Sequence, residues 1–254
     1  AVMGGTDVLG LTSSVIVEAN YSIPRLERIA RSIDDTSREA NAVIVTGDTK
    51  VMGNGEIDGV VINTAGVGRA DHVTPDAGLA PNDVILVTGS IGEHGISLLA
   101  EREGIDLGAD LASDVKPLND LIRAAQDVAG DAISAMKDPT RMGVAGALNE
   151  MAAKSDVGIV VEADRVPVTE DVKGTGELLG LDPFQIANEG VAIIGVAPRA
   201  AEAVLAELRA HPKGSDAAAI GKAIDDHRGR VILDTGIGSR YLREPSKEPA
   251  PRIC

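Results

Sequence analysis

Short β-branched runs alternate with amphipathic stretches of helical period along this chain, and that alternation restricts it to an α/β fold. Residues 13–18 are apolar and β-branched and predict a strand. Residues 24–40 then place Leu26, Ile29, Ala30 and Ile33 on one face of a helix whose first turn tolerates Pro24. Residues 42–46 read as a short buried strand, 47–50 as a turn, and 59–65 as a strand that ends at the Gly66-Val67-Gly68 break. Further strands are expected at 84–88, 157–162, 191–196 and 230–233, and further helices at 96–102, 118–128, 144–154 and 199–209. Between the third and fourth strands lies a stretch holding Pro75, Gly78 and Pro81, which reads as a linker. The expected division is therefore 1–78 for a first domain, 79–243 for a second and 244–254 for a tail.

The core of such a fold must be aliphatic here, because 44% of the residues are apolar while there is no Trp, one Phe and two Tyr. A formal net charge of −15 argues against a nucleic-acid partner, whose phosphates the surface would repel, and an anionic nucleotide would need metal ions. One cysteine makes no internal disulfide. No apolar run is long enough to span a bilayer, which argues against a membrane partner, and no secretion signal is present. These features predict a protein of the reducing cytoplasm.

That single cysteine, Cys254, closes a tail with three prolines in its last ten residues. Each proline fixes its own φ and biases the preceding residue to extended geometry, so the expected state is an arm with a thiol at its tip. Such an arm either carries a reactive group into a pocket or is a frayed terminus.

Four polar constellations carry candidate chemistry. Thr46-Gly47-Asp48-Thr49-Lys50 follows the second strand, so Asp48 and Lys50 are expected at its end, where α/β sheets hold ligands; the alternative is an ordinary turn with a solvated lysine. Lys137-Asp138-Pro139-Thr140-Arg141 precedes a helix, where Asp138 or Thr140 serves as a cap, or a carboxylate, a hydroxyl and a guanidinium gather phosphate and metal. Ala187-Asn188-Glu189-Gly190 places Glu189 at a strand entrance, as a turn residue or as a general base. His94 stands between glycines after a strand-to-helix turn of the kind that presents backbone N–H groups to an anion.

In their order along the chain these motifs resemble those of the HypE family of hydrogenase maturation factors. The resemblance runs through Ala1-Val2-Met3-Gly4, Val45-Thr46-Gly47-Asp48-Thr49-Lys50-Val51, Gly92-Glu93-His94-Gly95, Ser113-Asp114 with Pro117-Leu118-Asn119, and Asp138-Pro139-Thr140-Arg141. It continues through Glu177-Leu178-Leu179-Gly180-Leu181-Asp182-Pro183 and Ala187-Asn188-Glu189-Gly190 to Pro251-Arg252-Ile253-Cys254. It implies the two-domain fold shared with aminoimidazole ribonucleotide synthetase and selenophosphate synthetase, whose first domains pair in a homodimer over the ATP site. Family members open with strands and acidic loops, and an Asn-Asp pair stands before their counterpart of Ala1. If the polypeptide begins at Ala1, poor ATP binding or a failure to dimerise normally is expected. The family has glycine where this chain has Met142 and leucine where it has Ala250.

The implied chemistry is ATP-dependent dehydration of an S-carbamoyl group on Cys254 to a thiocyanate, the source of the cyanide ligands of [NiFe] hydrogenase. The partners implied are the carbamoyltransferase HypF, which loads the thiol, and a HypC–HypD complex, which accepts the cyanide. On this reading Glu189 takes the N–H proton and Lys50 stabilises charge at the reacting oxygen. Asp48 and Asp138 meet Mg²⁺, while Gly47, Thr49, His94, Thr140, Arg141 and Asn188 surround ATP. The alternatives are another ATP-using enzyme of this fold, which would not need the terminal cysteine, and a non-catalytic carrier of the modified thiol.

Overall fold

The computed structural model describes residues 4–104, 111–247 and 249. The first sheet comprises β1 (Asp7–Glu18), β2 (Ile44–Met52) and β3 (Val60–Arg69), with α1 (Ile23–Glu39) between β1 and β2. Its order is β2-β1-β3, with β1 parallel to β2 and antiparallel to β3. This sheet is thinly covered. Among its buried side chains are Ser13 and Val17 of β1, whereas Val45, Val51, Val61 and Val67 are exposed and no residue of α1 is buried.

Two expectations fail in this sheet. The segment 47–50 is not a turn but the middle of β2, and β2 is exposed rather than buried. Gly47 marks close packing instead of a bend: a Cβ there would lie 2.6 Å from the Ser13 carbonyl oxygen of the neighbouring strand. Likewise β3 runs through Gly66-Val67-Gly68 to Arg69, paired with β1 along that length.

The second unit is larger. In chain order it holds β4 (Val84–Val87), α2 (Glu93–Glu103), α3 (Asn119–Ala129), β5 (Ile133–Lys137), α4 (Gly143–Ser155) and β6 (Gly158–Glu162). Then follow α5 (Glu170–Leu179), β7 (Ile193–Val196), α6 (Pro198–Ala210), β8 (Ala218–Ile224), β9 (Val231–Asp234) and β10 (Ser239–Tyr241). Seven strands form one mixed sheet in the order β10-β9-β6-β8-β4-β7-β5. Alternation sends Ile85 and Val87 to one face, against Val144, Leu148 and Met151 of α4, and Leu86 to the other, against Leu121 and Ile122 of α3 and Val204 and Leu208 of α6. Each of these fully buried aliphatic side chains contributes about 1.5–3 kcal/mol.

The two units are tied through side chains. Asn119 Nδ2 donates to the Ala40 carbonyl at 2.9 Å, and Arg123 donates to the Thr6 carbonyl at 2.8 Å. Lys213, beyond α6, pairs with Glu39 at 3.1 Å and with Asp120 of α3 at 2.9 Å. No described helix is long and apolar enough to cross a membrane.

Candidate active site

The sheet register brings three loops to one edge. Val87, the last residue of β4, lies opposite Ile193, the first residue of β7. Lys137, the last residue of β5, lies opposite the same Ile193. The loop that leaves β4, the loop that leaves β5 and the loop that enters β7 therefore emerge side by side; the first leads into the start of α2 with His94, the second carries Asp138 to Arg141 and the third Asn188 and Glu189.

Asn188 joins all three. Its side chain is buried, and Oδ1 accepts the Gly92 N–H at 2.8 Å while Nδ2 donates to the carbonyls of Pro139 and Ile186, each at 3.0 Å. The Gly95 N–H adds a bond to the Ala187 carbonyl at 3.2 Å. Asn188 thus spends its polar atoms on the protein's own backbone, and its service to the site is to hold the loops rather than to reach outward.

Two glycines make this approach feasible. Gly92 caps α2 at φ 86°, in the left-handed region. Gly143 has φ 61°, and a Cβ on it would meet the Ile186 carbonyl oxygen at 2.5 Å. Met142, the residue before it, also lies at φ 61° and is the N-cap of α4. No side chain caps this helix, so Asp138 and Thr140 are not the caps that local sequence suggested. Asp138 and Arg141 are exposed on the loop, and Thr140 is half-buried with its carbonyl accepting the Gly143 N–H at 3.1 Å.

Glu189 is half-buried within this frame. Burial first of all raises its carboxyl above the usual range; nearby Asp114 and Asp138 add to the effect, and His94 opposes it. Asp114 comes from the loop before α3 and is itself raised chiefly by burial, against the pull of the Glu189 and Gly190 N–H groups, His94 and Lys116. His94 Nδ1 lies 2.7 Å from Ser113 Oγ. Glu93, next to His94, is raised by burial and then by Asp114. Together these groups form a shielded acidic cluster with one imidazole, able to take a proton from a bound substrate.

The structure does not bring every predicted residue here. Asp48, Thr49 and Lys50 lie exposed within β2, where Asp48 Oδ1 accepts the Thr49 N–H at 2.8 Å; Lys50 stands in register with Ile16. They are not at the end of a buried strand, where residue pattern alone puts them. Cys254 lies outside the described residues. Sequence alone assigns no role to Asp114, although Ser113-Asp114 belongs to the family pattern; an aspartate with no local partner gives no sign of where it is buried. Among the described residues no three His, Cys, Asp or Glu side chains gather as a metal site.

Residues 1–70 match the family described as AIR synthase related protein, N-terminal domain, and residues 80–234 match the corresponding C-terminal domain. Fold and loop arrangement define an AIR synthase-related protein of two α/β units. Its relatives include the carbamoyl dehydratase HypE of Rhizobium leguminosarum bv. viciae, 41% identical over an alignment of 256 positions that covers 99% of this chain and 73% of that one. The chain belongs to the HypE family, the carbamoyl dehydratases of hydrogenase maturation. Among solved structures, hydrogenase maturation protein HypE in complex with ATP superposes with a TM-score of 0.94 at 38% identity, over 99% of this chain and 77% of that one. A HypE–HypF complex gives 0.92 at 36% identity, over 96% and 80%.

Proposed function

We propose that this chain carries out ATP-dependent dehydration of a carbamoyl group on its own Cys254, leaving a thiocyanate. The observation that carries the reading is Glu189: a carboxyl of raised proton affinity, half-buried where three loops meet. It is supported by the ATP complex of one HypE relative and the HypF complex of another.

The steps balance as follows. The carbamoyl oxygen attacks the γ-phosphoryl group of ATP and ADP leaves; one N–H proton is lost as the O-phosphorylated imidate forms. Glu189 then takes the remaining N–H proton, the C–O bond breaks with release of phosphate, and the nitrogen lone pair completes C≡N. Lys50 is assigned charge stabilisation at the reacting oxygen, and Gly47, Thr49, His94, Thr140 and Arg141 contact with the nucleotide. Asn188 acts through the loops it joins. Asp48 and Asp138 are assigned as the carboxylates that would hold an Mg²⁺ ion travelling with ATP, whose charge would offset that of the phosphates; among the described residues no third His, Cys, Asp or Glu gathers with them.

Residues 1–78 are assigned to an ATP-binding and pairing domain, 79–243 to the second domain, and 244–254 to the tail that carries the thiol. The exposed Val45, Val51, Val61 and Val67 favour pairing of the first sheet with a second copy. HypF is the proposed carbamoyl donor and HypC–HypD the cyanide acceptor, in the cytoplasm. The test is the intact mass of the chain after incubation with HypF, carbamoyl phosphate and ATP, followed by sequencing of the tail peptide. Carbamoylation of Cys254 followed by ATP-dependent loss of one water is expected. Carbamoylation that stops there identifies a carrier and overturns the reading.

A further inference from the structure

We infer that Asp114 is the positioning residue for Glu189: its carboxylate fixes the Glu189–Gly190 main chain and sets a buried negative charge beside the Glu189 side chain. This rests on the proposed role of Glu189 as base.

Asp114 is 7% exposed and lies 75 positions from Glu189 in sequence. Its Oδ1 accepts the Glu189 N–H at 2.9 Å, and the Gly190 N–H lies near enough to the same carboxylate to favour its charged form. A Cβ on Gly190 would run into the Asp114 carbonyl oxygen, so the two loops come closer than any side chain at 190 allows. The neighbouring residue, Ser113, accepts the Val115 N–H at 3.2 Å and meets His94 Nδ1 at 2.7 Å. Two consecutive residues of one loop thus place both the base and the imidazole.

A second observation separates this from ordinary loop bracing. Asp114 Oδ2 and His94 Nε2 are both buried, and among the described residues neither has a hydrogen-bond partner. A buried carboxylate oxygen without a donor is costly, and a carboxylate needed only to brace a turn gains nothing from it. The charged groups facing Glu189 are His94 from α2, Asp114 from the loop before α3 and Asp138 from the loop after β5; those facing Asp114 include His94, Lys116 and Glu93. Asp114 is the one of these that holds both the main chain and the electrostatics of the base.

The experiment uses the full chain carbamoylated at Cys254, with D114N and D114E compared to the parent. D114N keeps the shape and an acceptor oxygen but removes the charge. It is expected to slow dehydration about 10–100-fold. ATP affinity should stay unchanged, and the acid limb of the pH–rate profile should move to lower pH, because loss of the neighbouring charge lets Glu189 ionise more readily. D114E keeps the charge but moves the acceptor, and is expected to lose rate with the acid limb in place. The inference is overturned by parental rates in either variant, or by a D114N rate loss with an unmoved acid limb. A ¹³C titration of the Glu189 carboxyl in the resting protein reads the same coupling without turnover. If E189Q dehydrates normally while that titration still moves in D114N, the proposed base is wrong and the Asp114–Glu189 coupling stands.

Discussion

The Asn188 side-chain oxygen accepts the Gly92 N–H at 2.8 Å across 96 residues of chain, and the same amide's nitrogen holds Pro139 and Ile186. Three loops from distant parts of the sequence thus share one buried polar residue. Replacing it with alanine leaves one N–H and two carbonyls to find other partners. N188A is expected to cost roughly 2–4 kcal/mol of stability, since buried polar groups left unsatisfied cost about 1–3 kcal/mol. Urea unfolding checks this, and a midpoint within error of the parent would refute the joint.

The raised carboxyls of Glu189, Asp114 and Glu93 make a prediction of definite sign. A carboxyl whose folded-state pKa exceeds its unfolded one favours the fold below the unfolded pKa and loses that contribution as pH rises through the folded one. E189Q, which stays neutral throughout, should therefore be more stable than the parent at neutral pH while failing to dehydrate. The gap should close as pH falls into the carboxylate range. Thermal unfolding of both proteins across that range measures it; a gap that widens on acidification contradicts the burial argument.

Met142 sits at φ 61°, where an L side chain costs about 1–2 kcal/mol. Glycine removes that strain but adds about 0.5–1 kcal/mol of backbone entropy to lose. M142G is therefore expected within about 1 kcal/mol of the parent despite losing a half-buried side chain. M142V, β-branched at positive φ, should be lower by roughly 2 kcal/mol or more. Equal melting temperatures for the two variants would show that the backbone there is not under strain.

Lys213 tests the tie between the two units. Its side chain is 15% exposed and holds Glu39 and Asp120 together. K213M leaves two carboxylates facing each other without their cation, an expected loss of roughly 1–3 kcal/mol at neutral pH that shrinks in acid. Double-mutant cycles with E39Q should give a positive coupling; none at all would mean that the contact does not join the units.

The second unit was legible where its strands are β-branched and its helices strongly amphipathic, as at Gly158–Glu162 and Asn119–Ala129. Other elements gave no such signal. Ile133–Lys137 reads Ile-Ser-Ala-Met-Lys, Ala218–Ile224 is half alanine and glycine, and Glu170–Leu179 contains Gly174 and Gly176. These owe their form to neighbours in the sheet and core, which local propensity does not register. In the first sheet, Gly47 and Gly66 were misread as breaks because a glycine admitting a close strand and a glycine making a turn look alike in sequence. The candidate site shows the same division: Glu189, His94 and Asp138 stand out by residue type and place, whereas the burial of Asp114 beside them depends on a pairing 75 residues long.

Because β7 enters the sheet at the edge where β4 and β5 leave it, the register of this four-residue strand decides whether a site exists at all. A slip of one residue would turn its side chains to the opposite face and carry Glu189 away from both neighbouring loops. This edge cannot be assembled piecemeal during synthesis: a nascent chain that stops short of β7 has the loops that leave β4 and β5 but no strand to seat Asn188 between them. The three loops thereby stay unjoined until the seventh strand has been made and paired.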